Sequence, residues 1–357
     1  MMTAAHETIC IVGVGASTSM GLSAPATASA VRAGVAAMAV HPFMIDKMGA
    51  PMVVCANPAL PIELGAMDRF LELALTAARE ALSPLLNKVR SLPRVSVLFA
   101  LPEERPGSPE RFESTFAGRF SLALAKEINI QDMIYHSLGH AGGLLCMEQA
   151  LSLILGGKSQ ICLVGGVDSY LEPETLEWLD NLEQLHSETT IWGFCPGEGA
   201  GFCLLTSQKF AADIGLSADI EVVAAASAKE PNPIKTETVC IGRGLSEAFQ
   251  NSLAYLPRNS RVNHTICDMN GEPYRGNEYG FAVLRTADSF ADDVDIMTPA
   301  DCWGDVGAAS GPLFAMLAAF AAKKGYCAGP FTFLWASSER GLRGAALLRT
   351  TAAMARN

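Results

Sequence analysis

The sequence predicts an α/β protein whose sheets are covered by helices on both faces. Short β-branched runs alternate with Ala/Leu-rich stretches of helical length, and half of the 357 residues are hydrophobic while only 18% are charged. The 32 glycines and a mean hydropathy of +0.24 fit densely packed layers rather than a disordered chain. A chain of this length can hold roughly two or three domains, and two halves of similar size is the expected division.

Taken in order, the strands are expected at Ile9 to Val14, Val95 to Ala100, Ile161 to Val164, Gly201 to Leu205, Ile220 to Ala224, His264 to Met269 and Phe331 to Ala336. Helices are expected at Met67 to Leu82, Phe112 to Lys126, Gly142 to Leu155, Leu245 to Tyr255, Glu278 to Arg285 and Leu313 to Lys323. The first of these helices should stop before Pro84, because proline disfavours helical geometry in the residue preceding it. Gly13-Val14-Gly15 lacks the third glycine of a dinucleotide loop and reads as a tight turn. A boundary between halves is expected near Thr206 to Ala211, where one strand ends and a new series of elements begins.

A net charge of −11 and a pI near 5.1, with no dense Lys/Arg run, argue against a nucleic-acid partner. Lys88, Arg90, Arg94, Arg105 and Arg111 read as an ordinary solvated surface, with a local docking patch for an acidic carrier protein as the alternative. The ten cysteines are scattered singly in apolar contexts such as Ile9-Cys10-Ile11, without CxxC pairs, and read as reduced packing residues. Met1 to Glu7 carries no basic region, and no apolar stretch approaches the roughly 20 residues of a membrane span, so a cytoplasmic protein is expected.

Three segments identify a family. Gly139-His140-Ala141-Gly142-Gly143-Leu144-Leu145-Cys146 opens a helix that runs to Gly156-Gly157, and Ile161-Cys162-Leu163-Val164-Gly165-Gly166-Val167-Asp168 follows as a strand ending in glycines. Next comes Gly193-Phe194-Cys195-Pro196-Gly197-Glu198-Gly199-Ala200-Gly201. This order and spacing resemble the nucleophile elbow, "VGGVD" strand and G-F-x-x-G-E-G-A-G segment of the β-ketoacyl synthase branch of the thiolase superfamily. The likeness extends to Ile11 to Gly15 with Gly21, to Met67 to Phe70 and Ala77 to Leu82, and to Gly304 to Gly311. It implies the thiolase fold, in which duplicated α/β halves, here 1–208 and 209–357, form a five-layer αβαβα sandwich. It also implies dimers through a sheet edge beside the active site.

The same resemblance locates three catalytic positions, and in this chain none holds the required side chain. A condensing enzyme needs a thiolate at a helix N-terminus to carry the acyl chain, and that position is His140. An imidazole there should be pushed toward its neutral form, and it makes a packing or hydrogen-bonding residue rather than a store of thioester. Decarboxylative condensation needs two imidazoles to stabilise the enolate, and those positions hold Asn270 and Asp305. Asparagine still donates a hydrogen bond, whereas an ionised aspartate repels an enolate. The six histidines lie at 6, 41, 136, 140, 186 and 264, so the second half has no histidine pair to supply. Ser337 to Gly344 also departs from the family's G-F-G-G turn, which puts the oxyanion hole in question.

Cys146, Cys267 and Cys302 fit buried packing better than a reactive site, although Cys267, His140 and Asp305 together offer a Cys-His-Asp set. Neither a metal nor a cofactor is expected, since His140 and Asp305 are only two ligands without a motif. The expected function is that of a degenerate synthase-like binding or dimer-partner protein, of chain-length-factor or adaptor type. Its partners would be an acyl carrier protein or acyl thioester, an intact ketosynthase, or a secretion or biosynthetic assembly. The alternative is an acyltransferase or thioester hydrolase with His140 as base and Asp305 as orienting carboxylate.

Overall fold

The computed structural model describes residues 7–351; Met1 to His6 and residues 352–357 lie outside it. The strands are β1 Ile9–Thr18, β2 Ala39–Ile45, β3 Pro51–Val54, β4 Arg94–Leu101, β5 Asn129–Ser137, β6 Ile161–Ser169, β7 Glu198–Ser207, β8 Ile220–Lys229, β9 Val262–Cys267, β10 Phe290–Met297, β11 Phe331–Ser337 and β12 Leu342–Thr350. The helices are α1 Ala24–Arg32, α2 Ala66–Leu86, α3 Phe112–Leu124, α4 Gly142–Leu155, α5 Pro173–Asn181, α6 Gln208–Asp213, α7 Arg243–Leu253, α8 Pro273–Thr286, α9 Ala300–Trp303 and α10 Ser310–Lys324.

Strand order exposes a duplication. The large sheet runs β10-β9-β11-β12-β8-β1-β7-β6-β4-β5, so each group of five strands repeats one order outward from its first strand. Pairing repeats too. The first strand of each group is antiparallel to or bordered by its fifth, the fifth pairs antiparallel with the fourth, and the remaining pairs are parallel. The groups touch through a single pairing, Cys10 with Glu221.

Three apolar clusters set the layers. Phe70, Leu73 and Ala77 of α2 and Phe116 and Phe120 of α3 pack on Phe99 and Phe202 of β4 and β7. Phe249 of α7 packs on Phe333 and Trp335 of β11, on the outer face of the other group. Between them, Leu144, Met147 and Ile154 of α4 and Leu313, Phe314 and Leu317 of α10 share one core with strands of both groups. The result is the expected α/β fold in five layers, with the N-termini of α4 and α10 brought together at its centre.

Several expected bounds are corrected. The strand begun at Ile9 runs on to Thr18, so Gly13-Val14-Gly15 lies inside a strand and is not a turn. A Cβ on Gly13 or Gly15 would sit about 2 Å from the carbonyl oxygens of Ala81 and Ala77, so these glycines let α2 lie against the strand. Helix α2 does not stop before Pro84 but carries it in its last turn, held by the complete burial of Leu82 and Leu85. The strand expected at His264 to Met269 spans Val262–Cys267. Strands β2 and β3 lie outside the expected set, as do β5, β10 and β12 of the large sheet. Of these last three, β5 and β10 are sheet edges rich in polar residues, and β12 is diluted by glycine, alanine and arginine.

Candidate active site

Two corners, each leading into a central helix, build the site. In the first, Leu138 follows β5, Gly139 turns with φ +64°, and a short 3-10 turn Gly139–Ala141 presents His140 where α4 begins. In the second, Gly304 (φ +74°) follows α9, Asp305 comes next, and the 3-10 turn Gly307–Ala309 leads into α10. The backbone of Asp305 is clamped by the glycine-rich segment: its N–H donates to the Cys195 carbonyl at 2.7 Å, and the Gly197 N–H donates to its carbonyl at 2.9 Å. Asn270 stands on the loop after β9.

The three positions singled out in the sequence converge. His140 Nε2 lies 2.8 and 3.0 Å from the two carboxylate oxygens of Asp305, and Asn270 Nδ2 donates to Asp305 Oδ2 at 2.6 Å. Asp305 Oδ1 also accepts the Gly307 N–H at 2.8 Å. Two residues that sequence reasoning missed close the network. Arg275, fully buried at the start of α8, approaches His140 Nε2 with Nη2 at 3.3 Å, and its Nη1 donates to Asp268 Oδ2 at 2.5 Å and to the Ser337 carbonyl at 2.9 Å. The signal for them was the run Asp268, Glu272 and Arg275 flanking Asn270 directly after an apolar strand.

Electrostatics follow from this packing. Burial disfavours charge on both partners, but the His140 imidazolium, its hydrogen bond and the Arg275 guanidinium outweigh that and hold the Asp305 carboxyl well below the usual carboxylate range. For His140, burial and Arg275 oppose protonation, yet Asp305 prevails and raises its pKa. The expected push toward lower pKa is therefore corrected: the facing carboxylate outweighs burial and Arg275 and moves the His140 pKa upward. Arg275 is flanked by two carboxylates, Asp268 at 2.5 Å and Glu272 at 3.6 Å.

No thiol serves this set. The Cys267 thiol donates to the Met297 carbonyl at 3.7 Å and is pushed far up by burial. Cys146 lies in the central core, its pKa pushed up to about 12, and Cys302 donates to the Val31 carbonyl at 3.9 Å. The Ser338 hydroxyl accepts the Ala141 N–H at 2.9 Å and donates to the Leu138 carbonyl at 2.5 Å, so the amide after His140 is already engaged.

A cleft of about 240 Å³ opens above His140, walled by Tyr170, Trp178, Glu103, Lys235, Glu339 and Arg340. His140 reaches it, whereas Asn270 and Asp305 lie behind the ring, and no cysteine lines it. Arg105 is withdrawn from the expected basic surface: its side chain is buried, bonded to Asp168 Oδ1 at 2.5 Å and stacked 4.1 Å over Tyr170. Among the described residues, Glu230, Cys240 and Glu278 approach the spacing of a metal site. Glu278 Oε1 bonds Arg343 Nε at 2.6 Å and Glu230 Oε2 accepts the Gly244 N–H at 2.7 Å, while Glu278 Oε2 is buried without a hydrogen-bond partner.

Comparison with known proteins agrees with this architecture. Residues 137–211 match the family model of the β-ketoacyl synthase N-terminal domain. No curated protein matches the chain. Among solved structures it is similar to the ishigamide ketosynthase/chain length factor, at 19% identity and a TM-score of 0.73 over 96% of this chain and 99% of that one. It is also similar to a β-ketoacyl synthase from Burkholderia phymatum, at 16% identity and 0.76 over 97% and 100%. A third is an acyl-carrier protein in complex with its type II ketosynthase bound to a hexaketide, at 16% identity and 0.75 over 97% and 99%. The chain thus has the fold of these ketosynthase structures, and residues 137–211 carry the sequence pattern of the β-ketoacyl synthase N-terminal domain. No helix among the described residues is long and apolar enough to cross a membrane.

Proposed function

We propose that this chain does not condense acyl groups and acts instead as a binding or dimer-partner protein built on the ketosynthase scaffold. One observation carries the reading: the place of a thiolate and two imidazole donors is filled by the His140–Asp305 pair at 2.8 Å with Asn270 against it. Its carboxylate repels an enolate, its imidazole is bonded to that carboxylate, and no cysteine lines the cleft above His140. The kept scaffold, and likeness to a structure named as a ketosynthase/chain length factor, support a chain-length-factor or adaptor role in the cytoplasm, as partner of an intact synthase or carrier protein. The repeated strand order supports 1–208 and 209–357 as its two halves.

A second reading, thioester hydrolysis or acyl transfer with His140 as base, draws on the same pair. It requires a neutral imidazole, and Asp305 favours the charged one. The test incubates purified protein with malonyl and acyl thioesters and follows carbon dioxide, free thiol, free acid and intact mass. No turnover and no added mass are expected. Condensation abolished by His140→Ala overturns the proposal, and release of free acid without condensation selects the second reading.

A further inference from the structure

Outside the active site, three metal-ligating side chains meet between the end of β8, the loop that follows it, and α8. Glu230 stands just past β8, Cys240 lies on the loop, and Glu278 belongs to α8. One donor atom of each lies within 4.8 Å of the others, and the two glutamates are each only 1% exposed. Gly242, at φ +63°, brings the loop against α8, since a Cβ there would lie 2.8 Å from the Glu278 carbonyl oxygen.

Charge within the cluster does not balance. Two buried carboxylates face one guanidinium, that of Arg343, and the Cys240 thiol is pushed up by burial and then by Glu278 and Glu230, with Arg343 opposing them. Hydrogen bonding is incomplete as well. Arg343 Nε donates to Glu278 Oε1 at 2.6 Å, yet Glu278 Oε2 and Arg343 Nη2 are both buried without a partner. A buried carboxylate oxygen left open beside a thiol and a second carboxylate calls for a ligand.

The bonds that are made suit metal ligands. Glu230 accepts the Gly244 N–H at 2.7 Å and the Asn232 N–H at 3.3 Å, which fix its carboxylate and leave lone pairs to spare. One sulfur with two carboxylates disfavours Mg²⁺ and Ca²⁺, which take oxygen, and suits Zn²⁺, which takes both at about 2.0–2.3 Å. With Cys240 ionised, three negative charges against the one of Arg343 leave an excess that a divalent cation cancels.

We propose that Glu230, Cys240 and Glu278 bind one Zn²⁺, with water completing a four-coordinate shell and the Cys240 thiol proton released to solvent. The ion ties the loop to α8 and so fixes Ile234 and Lys235 of the same loop on the wall of the cleft above His140. The inference is independent of whether the active site is competent.

The test adds Co²⁺ and then Zn²⁺ to the full chain after chelator treatment. Co²⁺ should give a thiolate charge-transfer band in the near ultraviolet that saturates at one equivalent, and Zn²⁺ should erase it. Cys240→Ser, at a half-buried position, should keep the circular dichroism of wild type and lose the band, and Glu278→Gln should weaken Co²⁺ binding about tenfold or more. Cys327→Ser, at the other half-buried cysteine, should leave band and affinity unchanged. Zn²⁺ should raise the melting temperature of wild type but not of Cys240→Ser, and calorimetry in buffers of different ionisation heat should count one proton released per ion. Absence of the thiolate band in wild type, a band that survives in Cys240→Ser, or equal affinity in wild type and Glu278→Gln would each overturn the proposal.

Discussion

The two corners that open α4 and α10 share a design and differ in the side chain they present. Each turns at a glycine with positive φ, Gly139 at +64° and Gly307 at +46°, passes through one 3-10 turn and enters a central helix. The first offers His140 and the second Asp305, and the duplication aims both at one point, where they meet at 2.8 Å. A scaffold that could direct two groups at a substrate here directs them at each other. The pair ties the two corners together across the centre of the molecule.

Cutting this tie should have the largest effect. Asp305→Ala leaves the buried His140 without its carboxylate partner and should cost about 3–5 kcal/mol by denaturant unfolding. A loss under about 1 kcal/mol would mean that the pair is not holding the corners together.

The corners should then separate in their tolerance of a methyl group. In Gly307→Ala the new Cβ would lie 2.0 Å from Asp168 Oδ2, which itself accepts the Ala308 N–H, so about 3 kcal/mol is expected from strain and displacement together. In Gly139→Ala the nearest atom is Glu103 Cγ at 3.2 Å on a side chain that can move, and about 1–2 kcal/mol from backbone strain is expected. Equal losses would erase the distinction. Ser338→Ala removes the hydroxyl that joins the Ala141 amide to the Leu138 carbonyl at the first corner and should cost about 1 kcal/mol.

The smallest effect is the pH dependence. The folded pKa of His140 lies above its ordinary value of about 6.5, so its contribution is complete below that value and disappears as pH rises through the raised one. Asp305 acts oppositely: its folded pKa is lowered, so its contribution is present above the ordinary carboxylate range and disappears as pH falls through the lowered value. Unfolding of His140→Gln followed from pH 6 upward should lack the decline of wild type. An identical slope in the two proteins would show that the ring is neutral when folded.

Much of this molecule was legible in its sequence, for reasons particular to each part. Central strands such as Ile161–Ser169 are buried on both faces and read as unbroken apolar runs, and α4 was placed to the residue because glycines bound it on both sides. Edge strands β5 and β10 were not visible, because a half-solvated strand carrying His136 or Asp292, Asp293 and Asp295 has no apolar signature. Arg105 looked like surface because a charge in sequence carries no record of the aspartate that buries it.

By itself the sequence singled out His140, Asn270 and Asp305, through the resemblance of the segments that carry them, since identity and spacing are one-dimensional facts. Only the tertiary structure decided that these residues bond to one another, that Arg275 and Asp268 adjoin them, and that Asp305 raises the pKa of His140. Coulomb interactions and desolvation depend on distances across chain separations of more than a hundred residues, and folding alone sets those distances.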